Sequence, residues 1–182
     1  YLENENGTDP REKFRIRIYN CSKERISLEL KRKERGMCLK TSCHVPLEVL
    51  EEIIAGKIPD FTSEMPYLLK KLICQMQFRA LRPVEIVAYE RVPFTYEDGN
   101  VRITFDRNLR SSSNIEDFFN EDAAFRSIFP FGTNMIEVKY DELLPDFINE
   151  TLQTSALQWN SFSKYYLCRK FDIQGLRCGF RA

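Results

Sequence analysis

Residues 13–33 read KFRIRIYNCSKERISLELKRK. The stretch predicts two β-strands joined by a short polar turn. In the first, Phe14, Ile16 and Ile18 alternate with Lys13, Arg15, Arg17 and Tyr19; in the second, Ile26, Leu28 and Leu30 alternate with Glu29, Lys31 and Lys33. Side chains two apart along a strand share a face. Each strand therefore has one apolar and one charged face. Antiparallel pairing would crowd Arg15, Arg17, Glu29, Lys31 and Lys33 on one side of a small sheet. That much positive charge on one surface is unfavourable unless water or an anion neutralises it.

Working outward, residues 1–12 are polar, with Gly7 and Pro10, and read as a loop or extended lead-in. After Gly36, a turn residue, residues 37–45 (MCLKTSCHV) predict a third strand with Lys40, Ser42 and His44 on one face. Pro46 opens a helix whose Leu47, Leu50, Ile53 and Ile54 recur at helical spacing, with Gly56 as its cap. A second helix is expected from about Ser63 to Leu81, its apolar surface including Leu68, Leu69, Leu72, Ile73, Met76 and Phe78. Pro83 ends it and leads into a strand, residues 84–96, on which Glu85, Val87, Tyr89 and Arg91 share a face. Asp98-Gly99-Asn100 is a hairpin turn, followed by a partner strand at 101–106 with Arg102, Thr104 and Asp106 opposite Val101, Ile103 and Phe105. Residues 107–133 read as irregular, with a short helix candidate near 116–125. A strand at 135–140 sets Glu137 and Lys139 against Ile136, Val138 and Tyr140. Helices are expected from Pro145 to Leu152 and from Ser161 to Lys170, with Ser163 and Lys164 near the second N-terminus, where unpaired N–H groups attract anions.

The chain has 182 residues, 43% hydrophobic and 13% aromatic, enough for the core of one domain. No apolar run reaches the about 18 residues a membrane-spanning helix needs. Lys and Arg number 27, as do Asp and Glu, so any anion site is a local concentration of charge, and a general nucleic-acid binder is disfavoured. The six cysteines form no CxxC pair and read as reduced structural thiols of a cytosolic protein. His44 is the one histidine, which removes Ser-His-Asp and Cys-His catalysis and any multi-histidine metal site.

One signature recurs along the strands: apolar on one face, charged on the other. The charged faces collect Arg15, Arg17, Glu29, Lys31, Lys33, Lys40, Arg91, Arg102, Glu137 and Lys139. Two architectures satisfy it. One is an open antiparallel sheet with its charged side in water and helices on the other. The second is a barrel with its apolar side outward under helices and its charged side inward. Such a lumen must be wet or hold a polyanion. The richness in arginine, suited to bidentate phosphate recognition, favours the second.

The strings FRIRIYN, LELKRK, VAYERVPF, VRITFD, IEVKYD and FSKYYLCR occur in this order. Together they resemble the VTC domain, the polyphosphate-polymerase domain of the vacuolar transporter chaperone complex, within the CYTH-like triphosphate tunnel metalloenzymes. The resemblance spans roughly residues 13–171 of what reads as one domain over 1–182. It implies an α+β fold: an antiparallel β-barrel, or tunnel, with a basic lumen and flanking helices. Relatives have strands before the RxRxY strand, so the expectation is that N-terminal strands are missing here. The open barrel edges this would leave invite dimerisation.

The resemblance implies transfer of the terminal phosphoryl group of a nucleoside triphosphate such as ATP to a polyphosphate chain. It implies a divalent metal, Mn²⁺ or Mg²⁺, and a cytoplasmic domain, compatible with membrane attachment of a longer protein. By motif, Arg15, Arg17, Lys31, Arg91, Arg102 and Lys164 would act on phosphate in catalysis. Lys139 and Ser163 would add phosphate contacts, and Glu137 would hold the metal. Glu29 pairs with Lys31 or Arg15, or else touches metal. Glu137 alternatively serves as an ion-pair partner for Lys139 or Arg102, and Lys164 as a solvated helix residue. Two other activities stay open: an inorganic triphosphatase of the same fold, and a non-catalytic polyphosphate-binding or sensing module. The mostly basic lumen leans toward synthesis or binding.

Overall fold

A computed structural model describes residues 5–154 and 157–179, with side chains in the last helix to residue 173. It is a mixed α+β structure built on antiparallel sheets. The chain divides into two compact units, residues 1–86 with 113–124, and residues 87–112 with 125–182. The ladders among the described residues form a three-stranded sheet and a four-stranded sheet; no closed barrel is found among them.

In the first unit, β1 (Arg11–Arg17), β2 (Ser27–Glu34) and β3 (Met37–His44) pair in the order β1-β2-β3. Arg35 and Gly36, at φ 50° and 81°, form the two-residue turn between β2 and β3 that suits the twist of a hairpin. The expected apolar face is present. Leu28 and Leu30 are buried with Ile26, Val45 and side chains of two helices, α1 (Leu47–Ile54) and α2 (Tyr67–Arg79). Phe14 and Ile16 of β1 pack against the same cluster. Lys71 of α2 reaches Glu12 of β1 at 2.6 Å, so this side of the sheet carries its own ion pair. The α2 helix starts four residues later than Ser63 because Pro66 occupies its N-cap with extended backbone (ψ 144°). Phe78 is not part of its apolar surface: it is 79% exposed, on the helix side away from Leu69, Ile73 and Met76.

In the second unit, β4 (Ile86–Tyr96), β5 (Val101–Ser112) and the short β6 (Arg126–Ser127) neighbour one another, and β7 (Met135–Lys139) pairs with β5. The β5 strand runs six residues past its expected end at Asp106. The alternation of its side chains slips by one at Asn108, which has φ 52°. Both Arg107 and Asn108 bond the single carboxylate of Glu90, at 3.0 and 2.6 Å. Two residues facing one partner is the arrangement of a β-bulge. The slip puts Leu109 and Ser111 on the buried side already occupied by Thr104 and Asp106. Between these stretches of the second unit, residues 113–124 belong to the first, and there a turn of 3₁₀-helix (Ile115–Phe119) stands in place of the expected helix near 116–125. The helix α3 (Asp146–Leu152) buries Ile148 and Leu152 with Val101, packed by Ile103, Ile136 and Val138. The helix α4 (Lys164–Gly179) buries Cys168 with Leu109 and Ile128, beside Val87, Tyr89 and Met135. Helices thus cover both faces of this sheet.

Gly99, at φ +75°, forms the β4–β5 turn against the 141–145 segment: Asp141 N–H donates to its carbonyl at 3.1 Å. A Cβ at Gly99 would clash with the Leu143 carbonyl oxygen. Left-handed strain and the clash with backbone add, so Gly99→Ala should cost about 2–4 kcal/mol in urea unfolding. A cost below about 0.5 kcal/mol, within the range of ordinary surface substitutions, would show that this contact does not hold the turn.

Cys21, Cys38, Cys43, Cys74 and Cys168 are free thiols, and the side chain of Cys178 lies outside the described residues. No helix among the described residues is long and apolar enough to cross a membrane.

Candidate functional site

The register of the first sheet fixes which charges meet. Lys13 stands opposite Lys31, and Lys31 opposite Lys40, so three lysines form one row across the three strands. On one side of that row Arg11 faces Lys33. On the other, Arg15 faces Glu29, and Arg17 faces Ser27. Since partners directly across and residues two apart share a face, Arg11, Lys13, Arg15, Arg17, Lys31, Lys33 and Lys40 all lie on the side opposite the core. Against them stands Glu29. It accepts from Arg15 and lies 3.2 Å from Nε of Arg17, whose Nη1 also donates to the Tyr19 hydroxyl at 3.0 Å. The one acid of the face is thus held by two guanidiniums, and Lys31, Lys33 and Lys40 have no ion-pair partner among the described residues. Burial, then the charges of Arg11, Lys31 and Lys33, push the ammonium of Lys13 below its ordinary pKa. This is the direction expected where cations crowd without enough counter-charge.

The second unit carries a different arrangement, organised by carboxylates. Asp106 of β5 has a fully buried side chain. It accepts two bonds from the guanidinium of Arg91 on β4, Nε to Oδ1 at 2.6 Å and Nη2 to Oδ2 at 2.7 Å. Its Oδ2 also takes Nζ of Lys164, from the first turn of α4, at 2.6 Å. Both cations lie by the ring of Tyr89, 5.2 and 5.0 Å from its centroid. Glu137 of β7 stands opposite Thr104 and, like Asp106, points to this side of the sheet. It is bonded by Lys139 at 2.9 Å and lies 3.4 Å from Nη2 of Arg91.

Burial opposes the charge on Asp106, but the bonds and charges of Arg91 and Lys164 outweigh it, so its carboxyl titrates below the ordinary range. Glu137 is also lowered: burial opposes its charge, and Lys139, Lys164 and Arg91 overcome that opposition. The bond to Asp106 raises Arg91 further above its already high value.

The structure therefore brings Arg15, Arg17 and Lys31 to one sheet face, and Arg91, Glu137, Lys139 and Lys164 to one connected set. Arg102 stands opposite Lys139 on the same face as that set. Ser163 is the N-terminal neighbour of α4, and its Oγ accepts from the N–H of Tyr166 at 3.4 Å, in the manner of a helix cap. Glu29 takes the arginine-pairing alternative, with Arg17 as well as Arg15. Glu137 makes the expected pair with Lys139, and its second cation is Arg91, not Arg102. Sequence reasoning missed Asp106 as the centre of the second set. The available signal was its place two residues from Thr104 and four from Arg102, in line with a charged face; its burial depends on α4, far away in the chain.

A basic row of this kind and a carboxylate-anchored cation set both present donors suited to phosphate oxygens. The family model of the VTC domain matches residues 1–171. The chain belongs to the VTC domain family. Comparison with curated proteins and with solved structures returns no match. VTC domains are associated with polyphosphate synthesis, a phosphotransfer reaction.

Whether a divalent cation fits this VTC domain is a question about Glu137. Its carboxylate is 39% exposed, bridged by Lys139 and Arg91. Across from it the Thr104 hydroxyl is buried and has no hydrogen-bond partner among the described residues. No group of three His, Cys, Asp or Glu that could hold a metal ion occurs among the described residues. One carboxylate suits a hard cation that arrives with phosphate oxygens and waters, as Mg²⁺ commonly does, and does not make a protein-only cage. The residues fit a metal of that kind.

Proposed function

We propose that this VTC domain transfers the terminal phosphoryl group of a nucleoside triphosphate to a polyphosphate chain held in a basic tunnel. The observation that carries the reading is the Lys13–Lys31–Lys40 row flanked by Arg15 and Arg17, in a chain of this family. Like charges in register are unfavourable in the empty sheet. A polyanion laid along the row adds attractive terms that offset this repulsion.

In this mechanism Arg15, Arg17 and Lys31 hold phosphates of the chain. Arg91, Arg102 and Lys164 grip the transferring group and offset charge as it shifts toward the leaving oxygen. Phosphoryl transfer needs positioning and electrostatic stabilisation more than a protein nucleophile, so the absence of a suitable histidine dyad is no obstacle. Lys139 keeps Glu137 ionised and adds a further cation. Ser163 caps α4 and so fixes the turn from which Lys164 projects. Glu137 would hold Mn²⁺ or Mg²⁺, which when bound neutralises phosphate oxygens as a Lewis acid.

Incubating the purified protein with ATP and Mn²⁺, with products resolved by gel and by phosphorus NMR, tests the reading. Growing chains support it. Free phosphate without chains points to the triphosphatase, and neither product leaves a binding or sensing module. Glu137→Gln should lower turnover about 10²-fold or more, the loss typical of a major electrostatic stabiliser. Polyphosphate binding by the same variant, followed by calorimetry, should persist. Full turnover in Glu137→Gln would remove this residue from the mechanism.

A further inference from the structure

The carboxylate that organises the second unit is assigned no role by the family motifs. Asp106 is wholly buried, yet it touches two of the cations that the proposed reaction uses. Its two oxygens hold the Nε and Nη2 edge of Arg91 in a fork, and one of them also holds Lys164. A two-pronged bond to a guanidinium fixes the plane of the group as well as its position. Arg91 then has its Nη1 atom outside that fork, while the Nη2 atom lies toward Glu137. Lys164 sits on a helix and Arg91 on a strand, and both converge on the Asp106 carboxylate. Tyr89 backs both cations and limits their rotamers.

We infer that Asp106 is a positioning residue: it pins Arg91 and Lys164 in fixed relation to each other, so that both meet one phosphoryl group without rearrangement. Resting on the phosphotransfer reading above, this adds a residue that never touches substrate. Its side chain has no exposed surface, so phosphate cannot reach it. Its negative charge also lowers the attraction of the unit for phosphate. Removing it should therefore separate binding from turnover. In Asp106→Asn the cations gain freedom and the site gains one net positive charge. Polyphosphate should bind as tightly as before or more tightly, while kcat falls about 10-fold or more, as expected when groups at the reacting centre lose alignment.

A residue that merely supports the fold would give another pattern, with fewer binding sites and kcat reduced in proportion. The decisive experiment measures kcat, KM for ATP, and polyphosphate affinity and stoichiometry by calorimetry. It does so for the wild type, Asp106→Asn, Lys164→Met and the double variant. Expected is a loss of turnover in Asp106→Asn at full binding stoichiometry, and a much smaller further loss when Asp106→Asn is added to Lys164→Met. Equal losses in the two backgrounds, or loss of binding sites matching the loss of turnover, would overturn the inference. If Lys164→Met itself leaves both turnover and binding intact, it is the assignment of Lys164 to phosphate that fails, and with it this inference. Should Asp106→Asn not fold, the wild type supplies the answer by nitrogen-detected NMR. The Arg91 Nε–H signal, assigned with Arg91→Lys, should stay protected from exchange with and without polyphosphate. Rapid exchange in either state would mean the fork does not hold the guanidinium.

Discussion

Replacing Arg15 and Arg17 together by alanine should weaken polyphosphate binding by roughly two to four orders of magnitude. Each arginine offers charge-assisted bonds worth about 1.5–3 kcal/mol apiece, and about 1.4 kcal/mol is a tenfold change in affinity. A second effect works in the same direction. Glu29 is held by these two guanidiniums and has Lys31 two residues along its own strand. Without the arginines its carboxylate faces the polymer directly. Adding Glu29→Gln to the double variant should recover part of the lost affinity, which separates repulsion from lost contacts. The dependence of binding on salt should also flatten, because fewer cations displace counterions from the polymer. Stability should hardly move: the Arg15–Glu29 pair is more than half exposed on the arginine side, and such pairs contribute little. Lys31→Met should even stabilise the sheet by a few tenths of a kcal/mol, since it breaks a row of like charges, while weakening binding. Isothermal calorimetry and thermal melts on the same preparations check both sides. Affinity within threefold of wild type in Arg15→Ala/Arg17→Ala would sink the assignment of this face to phosphate.

The first unit was legible in the sequence because its information is local. Alternation from Phe14 to Ile18 and from Ile26 to Leu30 defines the apolar face, and a two-residue turn at Arg35-Gly36 fixes the register between β2 and β3. Once the register is set, the lysine row follows without further input. The second unit was less legible for a physical reason. At Asn108 the strand slips by one residue, so alternation read from Val101 gives the wrong face beyond Arg107 and breaks off at Asp106. The sequence holds no mark of the bulge other than Asn, a residue that tolerates positive φ. Asp106 was harder still. A charged residue on a charged face reads as solvated, and what buries it is the packing of α4, whose Cys168 and Leu167 meet Leu109, Val87 and Tyr89. Lys164 and Arg91 lie in sequence motifs, whereas the carboxylate they share joins them only in three dimensions.

That carboxylate leads to the largest effect expected on stability. Asp106→Ala should destabilise the protein by up to about 3–5 kcal/mol, the cost of leaving two partly buried cations without their buried partner. Arg91 would retain only the longer contact to Glu137, and Lys164 would lose its nearest acid. The sign of the pH dependence follows from the same geometry. The folded-state pKa of Asp106 lies below its unfolded value. Its contribution is therefore complete above the ordinary aspartate range near about 4 and is lost as pH falls through the depressed folded value. Glu137 is shifted in the same direction and adds to the loss, discounted for its partial exposure. Urea midpoints measured from pH 7 downward should fall more steeply below about pH 4 in the wild type than in Asp106→Asn. Parallel curves would mean that Asp106 carries no such linkage. A further comparison separates function from fold. Replacing Arg91, Asp106 and Lys164 together by Met, Leu and Met removes the buried carboxylate and its two partly buried cations as a set. Such replacements are commonly neutral or stabilising by about 1–4 kcal/mol, because desolvating the ions costs much of what their attraction returns. The triple variant should thus fold at least as well as Asp106→Ala, and better if the apolar side chains pack, while losing turnover entirely. If the triple variant also matches the wild type in stability, the cluster is not needed for the fold, and its expected role is the action of the cations on phosphate.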